Sequence, residues 1–133
     1  MITQGMSVFY KKDMFDGLIH TASDTYKAAL FTSLADLAPQ TETYTSANET
    51  AGPGYTPGGK TITGFKSYID GESVVLTFEN IVWKNASIKA GGFLIYNASK
   101  ANKSVFIGSF GGDIVSTNDT FTIEIPETGL VRL

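Results

Sequence analysis

The segment Ser73-Val74-Val75-Leu76-Thr77-Phe78-Glu79-Asn80-Ile81-Val82-Trp83-Lys84 decides the fold class of this chain. Its apolar residues occupy alternate positions: Val74, Leu76 and Phe78 before the Glu79-Asn80 pair, and Ile81 and Trp83 after it. A period of two places successive side chains on opposite faces of an extended backbone, which is typical of β-strands. Because a polar pair separates the two runs, the segment predicts two consecutive strands.

The same alternation recurs on both sides of this segment. Tyr26, Ala28 and Leu30 share one face of a predicted strand, and the other face carries Lys27, Ala29 and Phe31. Further alternating sets are Phe93 and Ile95 against Leu94 and Tyr96, and Phe121, Ile123 and Ile125 against Thr122 and Glu124, with shorter apolar runs at 61–69, 105–110 and 130–133. About eight strands with turn residues between them predict a mainly β chain. We expect an antiparallel β-sandwich or jelly-roll-like fold rather than parallel βαβ units.

The N-terminal residues 6–19 follow a helical period instead. Met6, Tyr10, Met14 and Leu18 fall four apart, and Phe15 and Ile19 widen the apolar stripe. This spacing predicts one amphipathic helix. The helix either covers the protein's own sheet or forms an arm that docks on a partner.

A long segment at 34–60 interrupts the strand pattern and is rich in Gly, Pro and Thr. It is too long for a simple connection, so we expect a functional or poorly ordered loop. The sequence contains no internal repeat and no linker composition. The chain of 133 residues is therefore predicted to form a single β-sandwich domain, 1–133.

Composition excludes several kinds of site. The chain has no Cys and one His, which rules out disulfides, thiol chemistry and His- or Cys-based metal sites. Ten Lys and Arg face thirteen Asp and Glu without clustering, so no nucleic-acid partner is expected. No stretch approaches the roughly 18 apolar residues of a membrane helix, and the N-terminus lacks a signal-peptide layout. We expect synthesis in a cytoplasm, no membrane partner and no cofactor.

The segment Gly54-Tyr55-Thr56-Pro57-Gly58-Gly59-Lys60-Thr61 matches the phosphate-binding pattern G-x-x-x-x-G-K-[ST]. That motif follows a buried strand and opens a helix whose N-terminus faces the phosphates. Here the preceding stretch is polar and the following residues 61–65 are β-like. The context favours a Gly/Pro-rich loop that enters a strand.

Five N-x-[ST] sequences occur at Asn48, Asn85, Asn97, Asn102 and Asn118. In a secreted eukaryotic protein they would indicate glycosylation. Asn tolerates left-handed φ, so turn positions are the simpler interpretation. The stretch 97–103 is predicted to be a hairpin loop.

Candidate catalytic groups do not form a recognisable set. The carboxylate pairs Asp13 with Asp16 and Glu124 with Glu127 come with no proton-accepting partner. The group Asp113, Asn118 and Asp119 lacks the spacing of a calcium loop, so a solvated loop is favoured over a metal site. His20 is expected to act as a cation or cap at the end of the helix. We expect no enzymatic activity.

The aromatic residues allow two interpretations. Tyr44, Tyr55, Tyr68, Trp83 and Tyr96 are candidates for a sugar-stacking platform. The same residue types occur in cores and interfaces. Because the single Trp83 alternates with Ile81 as a core residue does, core and interface roles are favoured.

Several ordered segments carry a resemblance to a known family. They are Asp24-Thr25-Tyr26-Lys27-Ala28-Ala29-Leu30-Phe31-Thr32-Ser33, Gly54-Tyr55-Thr56-Pro57-Gly58-Gly59-Lys60, Phe78-Glu79-Asn80-Ile81-Val82-Trp83-Lys84-Asn85-Ala86-Ser87-Ile88, Gly92-Phe93-Leu94-Ile95-Tyr96-Asn97, Phe110-Gly111-Gly112-Asp113 and Phe121-Thr122-Ile123. Together they resemble small virion proteins of tailed bacteriophages, over about residues 6 to 132. The resemblance implies a capsid decoration, or cement, protein with a jelly-roll-like sandwich.

The resemblance also implies partners and a location. The partners are the major capsid protein and the protein itself, as a homodimer or homotrimer. The location is the capsid surface of the virion, after synthesis in the bacterial host cytoplasm. Arms and long loops reach neighbours most easily, so the predicted contacts are Met6, Phe9, Tyr10, Met14, Tyr44, Tyr55 and Pro57. Alternative functions are a tail or head-to-tail component and, in another class, a glycan-binding β-sandwich module.

Overall fold

The computed structural model describes residues 1–18 and 20–133. Its elements, in chain order, are β1 (Gly5–Met6), α1 (Val8–Asp16), β2 (Tyr26–Phe31), β3 (Lys60–Ile62), β4 (Lys66–Asp70), β5 (Ser73–Thr77), β6 (Ile81–Asn97), β7 (Lys103–Ile123) and β8 (Val131–Arg132). The strands form two sheets, with orders β1-β7-β6-β2-β3 and β4-β5-β8, and every pairing within them is antiparallel. The predicted mainly β, antiparallel, sandwich-like fold with about eight strands and one helix is confirmed.

Two long strands, β6 and β7, form the central hairpin of the larger sheet. Their turn lies where the hairpin loop was predicted, and Ala101 and Asn102 adopt positive φ values of 54° and 57° there. The pairing shifts register at several points, for example between Ala90 and Gly92. Such bulges bend a strand and increase its twist.

In the five-stranded sheet, β2 is buried on both faces. Tyr26 and Leu30 point into one core, whereas Ala29 and Phe31 point into a second core on the opposite face. The alternation predicted for this strand is therefore confirmed. Both of its faces are apolar because both are covered.

The first core is shared by the two sheets. The ring of Tyr26 stacks on Phe65 at 4.9 Å and meets Phe78 edge to face at 5.4 Å. Leu76 of β5 belongs to the same cluster as Leu30 of β2. Aromatic pairs in these arrangements stabilise a core beyond the area they bury.

The long loop covers the second core. Ala35 and Leu37 are buried against the outer face of the larger sheet, and Tyr44 packs on Tyr96 at 4.9 Å. The predicted loop at 34–60 is present except that Lys60 begins β3. Much of this loop therefore packs on the outer face of the sheet.

The helix is shorter than predicted. Ser7 caps it by accepting hydrogen bonds from the amides of Phe9 and Tyr10, and Gly17 ends it at a φ of 79°. Met6 lies before the cap, in β1, where it pairs with Phe106. The prediction of a helix over 6–19 is corrected to Val8–Asp16, and Ile19 lies outside the described residues.

Candidate functional site

An exposed apolar surface lies on α1 and the residues that follow it. Phe15 is 93% exposed and Met14 46% exposed, and Leu18 is also exposed. Val74 of β5 and Leu133, which follows β8, extend the same apolar character. We call these five residues the α1 surface. Exposed apolar residues that adjoin one another, unlike scattered ones, mark interaction sites.

A cavity of about 340 Å³ opens between α1 and the three-stranded sheet. Its lining is Met6, Tyr10, Met14, Gly17, Leu18, His20, Phe65, Ser67, Val74, Val75, Leu76, Val131 and Leu133. Four members of the α1 surface stand among these residues. The surface therefore borders a recess that can accept an apolar side chain.

A buried polar network holds the end of α1 against the central hairpin. Asp13 on the helix accepts a hydrogen bond from the His20 ring at 2.8 Å, and Lys103 of β7 lies 3.1 Å from its other oxygen. The other ring nitrogen of His20 lies 3.0 Å from the side-chain nitrogen of Asn97. Burial raises the pKa of Asp13, but the bonds from His20 and Lys103 outweigh it and hold that pKa below its usual value.

The network continues through Asp24. One oxygen of Asp24 accepts from Lys100 at 2.8 Å and from Asn97 at 2.9 Å. These two donors, led by Lys100, hold the pKa of Asp24 far below its usual range. The carboxylate therefore stays ionised and bonded at neutral pH.

This arrangement fits anchoring better than catalysis. Both nitrogens of His20 are engaged by Asp13 and Asn97, so neither faces a hydroxyl group that it could activate. The prediction that His20 caps the helix is corrected, because Gly17 ends the helix and His20 is buried beyond it. Sequence reasoning missed the network because Asn97 and Lys103 lie far along the chain from the residues they bind.

The structure divides the predicted contact residues by exposure. Met6, Tyr10 and Tyr55 are buried, so they are not surface contacts as predicted; Met6 and Tyr10 can be touched only from within the cavity beside α1. Phe9 and Tyr44 are half-buried. The two remaining residues, Met14 and Pro57, are exposed but lie on different parts of the chain. Sequence reasoning missed Phe15 and Leu18 as contact candidates, although both belonged to the predicted apolar stripe.

The aromatic residues act mainly inside the protein. Trp83 is 4% exposed, which confirms its predicted core position. The hydroxyls of Tyr44 and Tyr55 both donate to the carboxylate of Glu49, and Tyr96 donates to the carbonyl of Gly58. Burial, followed by the bond to Glu49, raises the pKa of Tyr55 and of Tyr44. Four of the five candidates for a sugar platform thus have internal packing partners.

The Gly-rich loop binds a group of its own chain. The amide of Gly58 donates to Glu49 at 2.8 Å. Lys60 and Thr61 lie in β3, and the Lys60 ammonium donates to the carbonyl of Val82. The predicted entry of this loop into a strand is confirmed, and the loop lacks the geometry of a phosphate-binding loop because β3 takes the place of the helix.

Of the five Asn residues predicted to lie in turns, Asn48 and Asn102 do so, with positive φ. For the other three the prediction is corrected: Asn85 and Asn118 have positive φ but lie within β6 and β7, and Asn97 ends β6 with its side chain in the buried polar network. The Asp113 carboxylate accepts hydrogen bonds from the amide and the hydroxyl of Ser33, at 3.0 and 2.9 Å, rather than grouping with Asn118 and Asp119. Within residues 1–18 and 20–133 no three acidic or His side chains gather as metal ligands do.

Comparison of the chain with family models, with curated proteins and with solved structures found no match. In the described part of the chain, no helix combines the length and the apolar character needed to cross a bilayer.

Proposed function

We propose that this protein is a structural virion protein that decorates and stabilises a bacteriophage capsid by bridging major capsid protein subunits. The class of particle rests on the sequence resemblance described above. The observation that supports a bridging role is the α1 surface. It exposes Phe15 on the helix and Met14 at the lining of an apolar cavity, and exposed apolar residues of this kind gain most when a partner removes them from water.

The buried network supports this role by holding α1 in place. Asp13, His20 and Lys103 fix the end of the helix to the hairpin before any partner arrives. A surface that is already rigid loses little conformational entropy on binding. The α1 surface is therefore suited to hold two shell subunits in a fixed relation.

Stabilisation of the shell then follows from mass action. A protein that binds the expanded shell but not its open or dissociated form lowers the free energy of the expanded form. The effect grows with the number of occupied positions. A homodimer or homotrimer of the protein on the capsid surface would add the binding energies of its copies.

Removing whole segments does not test this proposal. Residues 1–9 include Met6 and the capping Ser7, and residues 44–58 include the buried Thr50 and Tyr55. Deleting either segment removes core contacts, so lost binding would only report unfolding.

Two variants with changes only at the surface avoid that difficulty. Phe15→Ser and Met14→Gln together remove apolar area from the α1 surface, and Leu34→Ser changes a residue of the long loop that is 78% exposed. We expect the double variant to bind purified expanded shells at least about tenfold more weakly, while Leu34→Ser binds like the wild type. Equal thermal unfolding temperatures of the variants show that the fold is kept.

A three-dimensional reconstruction of virus particles that carry the protein is the second test. The proposal expects its density at repeated positions over the shell, with α1 against a capsid subunit. Density confined to the tail or neck would replace it by the tail or head-to-tail alternative. Shell binding that is unchanged by the double variant would exclude the α1 surface as the contact.

A further inference from the structure

The far half of β7 is a free sheet edge. On one side, residues 109–123 pair with β6, from Ser109 opposite Gly92 to Ile123 opposite Ile81. On the other side, β1 pairs with β7 only at Phe106 and Ile107. Among the described residues no strand lies beside β7 beyond that point. The amides of Ser109 and Thr120 already donate to the side chains of Gln4 and Asp119, and the remaining unpaired amides and carbonyls of such an edge can pair with another chain.

A groove of about 550 Å³ follows this edge. Residues 114–117 and 119–125 line it, together with Pro126 and Leu130. The aromatic members of its lining are Phe93, Phe106, Phe110 and Phe121. We call it the β7 groove. Its shape and lining suit an extended segment that places an apolar side chain on the aromatic rings.

The charges at the groove have one sign. Asp119 and Glu124 line it and are exposed, and no Lys or Arg lies within 4.0 Å of either carboxylate in the part of the chain described. Residues 104–131 contain four carboxylates and no Lys or Arg. Of these four, Asp113 is held by Ser33 and lies 4.0 Å from Lys89. An occupant with positive charges beside its apolar residue would complement this rim.

We propose that the β7 groove binds an extended segment of a partner protein in which Lys or Arg residues flank an aromatic or aliphatic residue. The segment adds a strand to the free edge, its apolar side chain packs on the phenylalanine rings, and its cations pair with Asp119 and Glu124. A second copy of this chain fits poorly, because pairing two β7 edges brings like carboxylates together. The inference goes beyond the proposed function, since the groove and the α1 surface are built from different residues.

A synthetic peptide tests the chemistry directly. The probe is the acetylated peptide Lys-Phe-Lys-Val-Lys-Phe-Lys-Val. It is titrated into the full protein, and binding is followed by the backbone amide chemical shifts of the protein. We expect shifts concentrated at residues 109–125 and binding that weakens as salt is raised. A peptide with Glu in place of each Lys should bind at least about tenfold more weakly. A Lys peptide with alternate N-methylated amides should also lose affinity, because it cannot pair with the edge.

Matched variants of the protein separate the groove from general attraction to an acidic protein. Asp119→Asn and Glu124→Gln should each weaken binding of the Lys peptide about threefold, whereas Asp36→Asn, at another exposed carboxylate, should leave it unchanged.

Several results would overturn the proposal. If the Lys and Glu peptides bind equally, or if all three variants change binding equally, a partner segment with Lys or Arg residues is excluded. Shifts centred on Met14 and Phe15 place the peptide on the α1 surface instead. Self-association that protects residues 109–125 without peptide makes the occupant a second copy.

Discussion

Replacing Leu37 by alanine measures how firmly the long loop is fixed to the sheet. Leu37 is 2% exposed and packs in the second core with Phe31 and Leu94. Truncating a buried Leu removes its transfer free energy and leaves a cavity, which costs about 2 to 5 kcal/mol. Because one wall of this core is a loop that can partly relax, we expect about 3 kcal/mol for Leu37→Ala. In a chain of this size that corresponds to about 10 °C in Tm.

Urea unfolding followed by Trp83 fluorescence is the assay. Trp83 lies in the first core, on the other side of the sheet from Leu37, so its emission reports unfolding of the whole domain. We expect a lower midpoint for Leu37→Ala with an unchanged slope. Leu34→Ala is the control, because Leu34 lies three residues away and is exposed, and its change should stay within about 0.5 kcal/mol. Equal midpoints for both variants and the wild type would refute the packing of this loop on the sheet.

Two further substitutions test the Gly-rich loop and the buried network. Gly59 has a φ of 84° and lies against the Ala28 carbonyl oxygen, so Gly59→Ala should cost about 3 kcal/mol or more, whereas Gly111→Ala, at a φ of 79° in open space, should cost about 1 kcal/mol. Thermal unfolding of the two glycine variants and the wild type measures both losses of stability. Asp24 has a lowered pKa in the folded state, so it stabilises the fold above the unfolded pKa of about 4, and this contribution is lost as the pH falls toward the folded value. Asp24→Asn should therefore cost about 2 kcal/mol at pH 7 and progressively less below about pH 4, as measured by urea unfolding at each pH.

Each of these two predictions has an outcome that contradicts it. Similar losses for the two glycine variants would mean that backbone conformation alone, without the close approach to Ala28, sets the cost. A difference between Asp24→Asn and the wild type that stays constant down to pH 2 would mean that the Asp24 charge contributes nothing to stability.

The strand pattern could be predicted because it depends on neighbours in sequence. The two faces of Tyr26–Phe31 follow from alternation alone, and so does the core position of Trp83. The helix ends were missed because they depend on single residues. Ser7 caps α1 and Gly17 ends it, although the apolar period continues on both sides.

The candidate site was less predictable because it joins distant residues. Asp13 meets Lys103 across ninety positions, and no local pattern marks the two as partners. Tyr55 looked like a loop contact because its neighbours are Gly, Pro and Thr. In the fold Tyr55 is buried, with its hydroxyl bonded to Glu49 and to the amide of Leu30. No local sequence pattern predicts either bond.

The pairing of the N-terminal strands with the central hairpin sets the order in which the chain can fold during synthesis. β2 pairs with β3 and with residues 92–97 of β6, so both must be synthesised before β2 has all its sheet partners. β1 pairs with β7 at Phe106 and Ile107, so its partner is synthesised later still. At ordinary ribosomal rates the interval between Phe31 and Ile107 lasts roughly ten seconds. The apolar faces of β2 lack their β6 partner until residues 92–97 are made, and the apolar stripe of α1 lacks β7 for the whole interval. The hairpin of β6 and β7 closes over a short turn and forms quickly once it emerges. Residues 5–31 are therefore the part of this domain that waits longest for its sheet partners during synthesis.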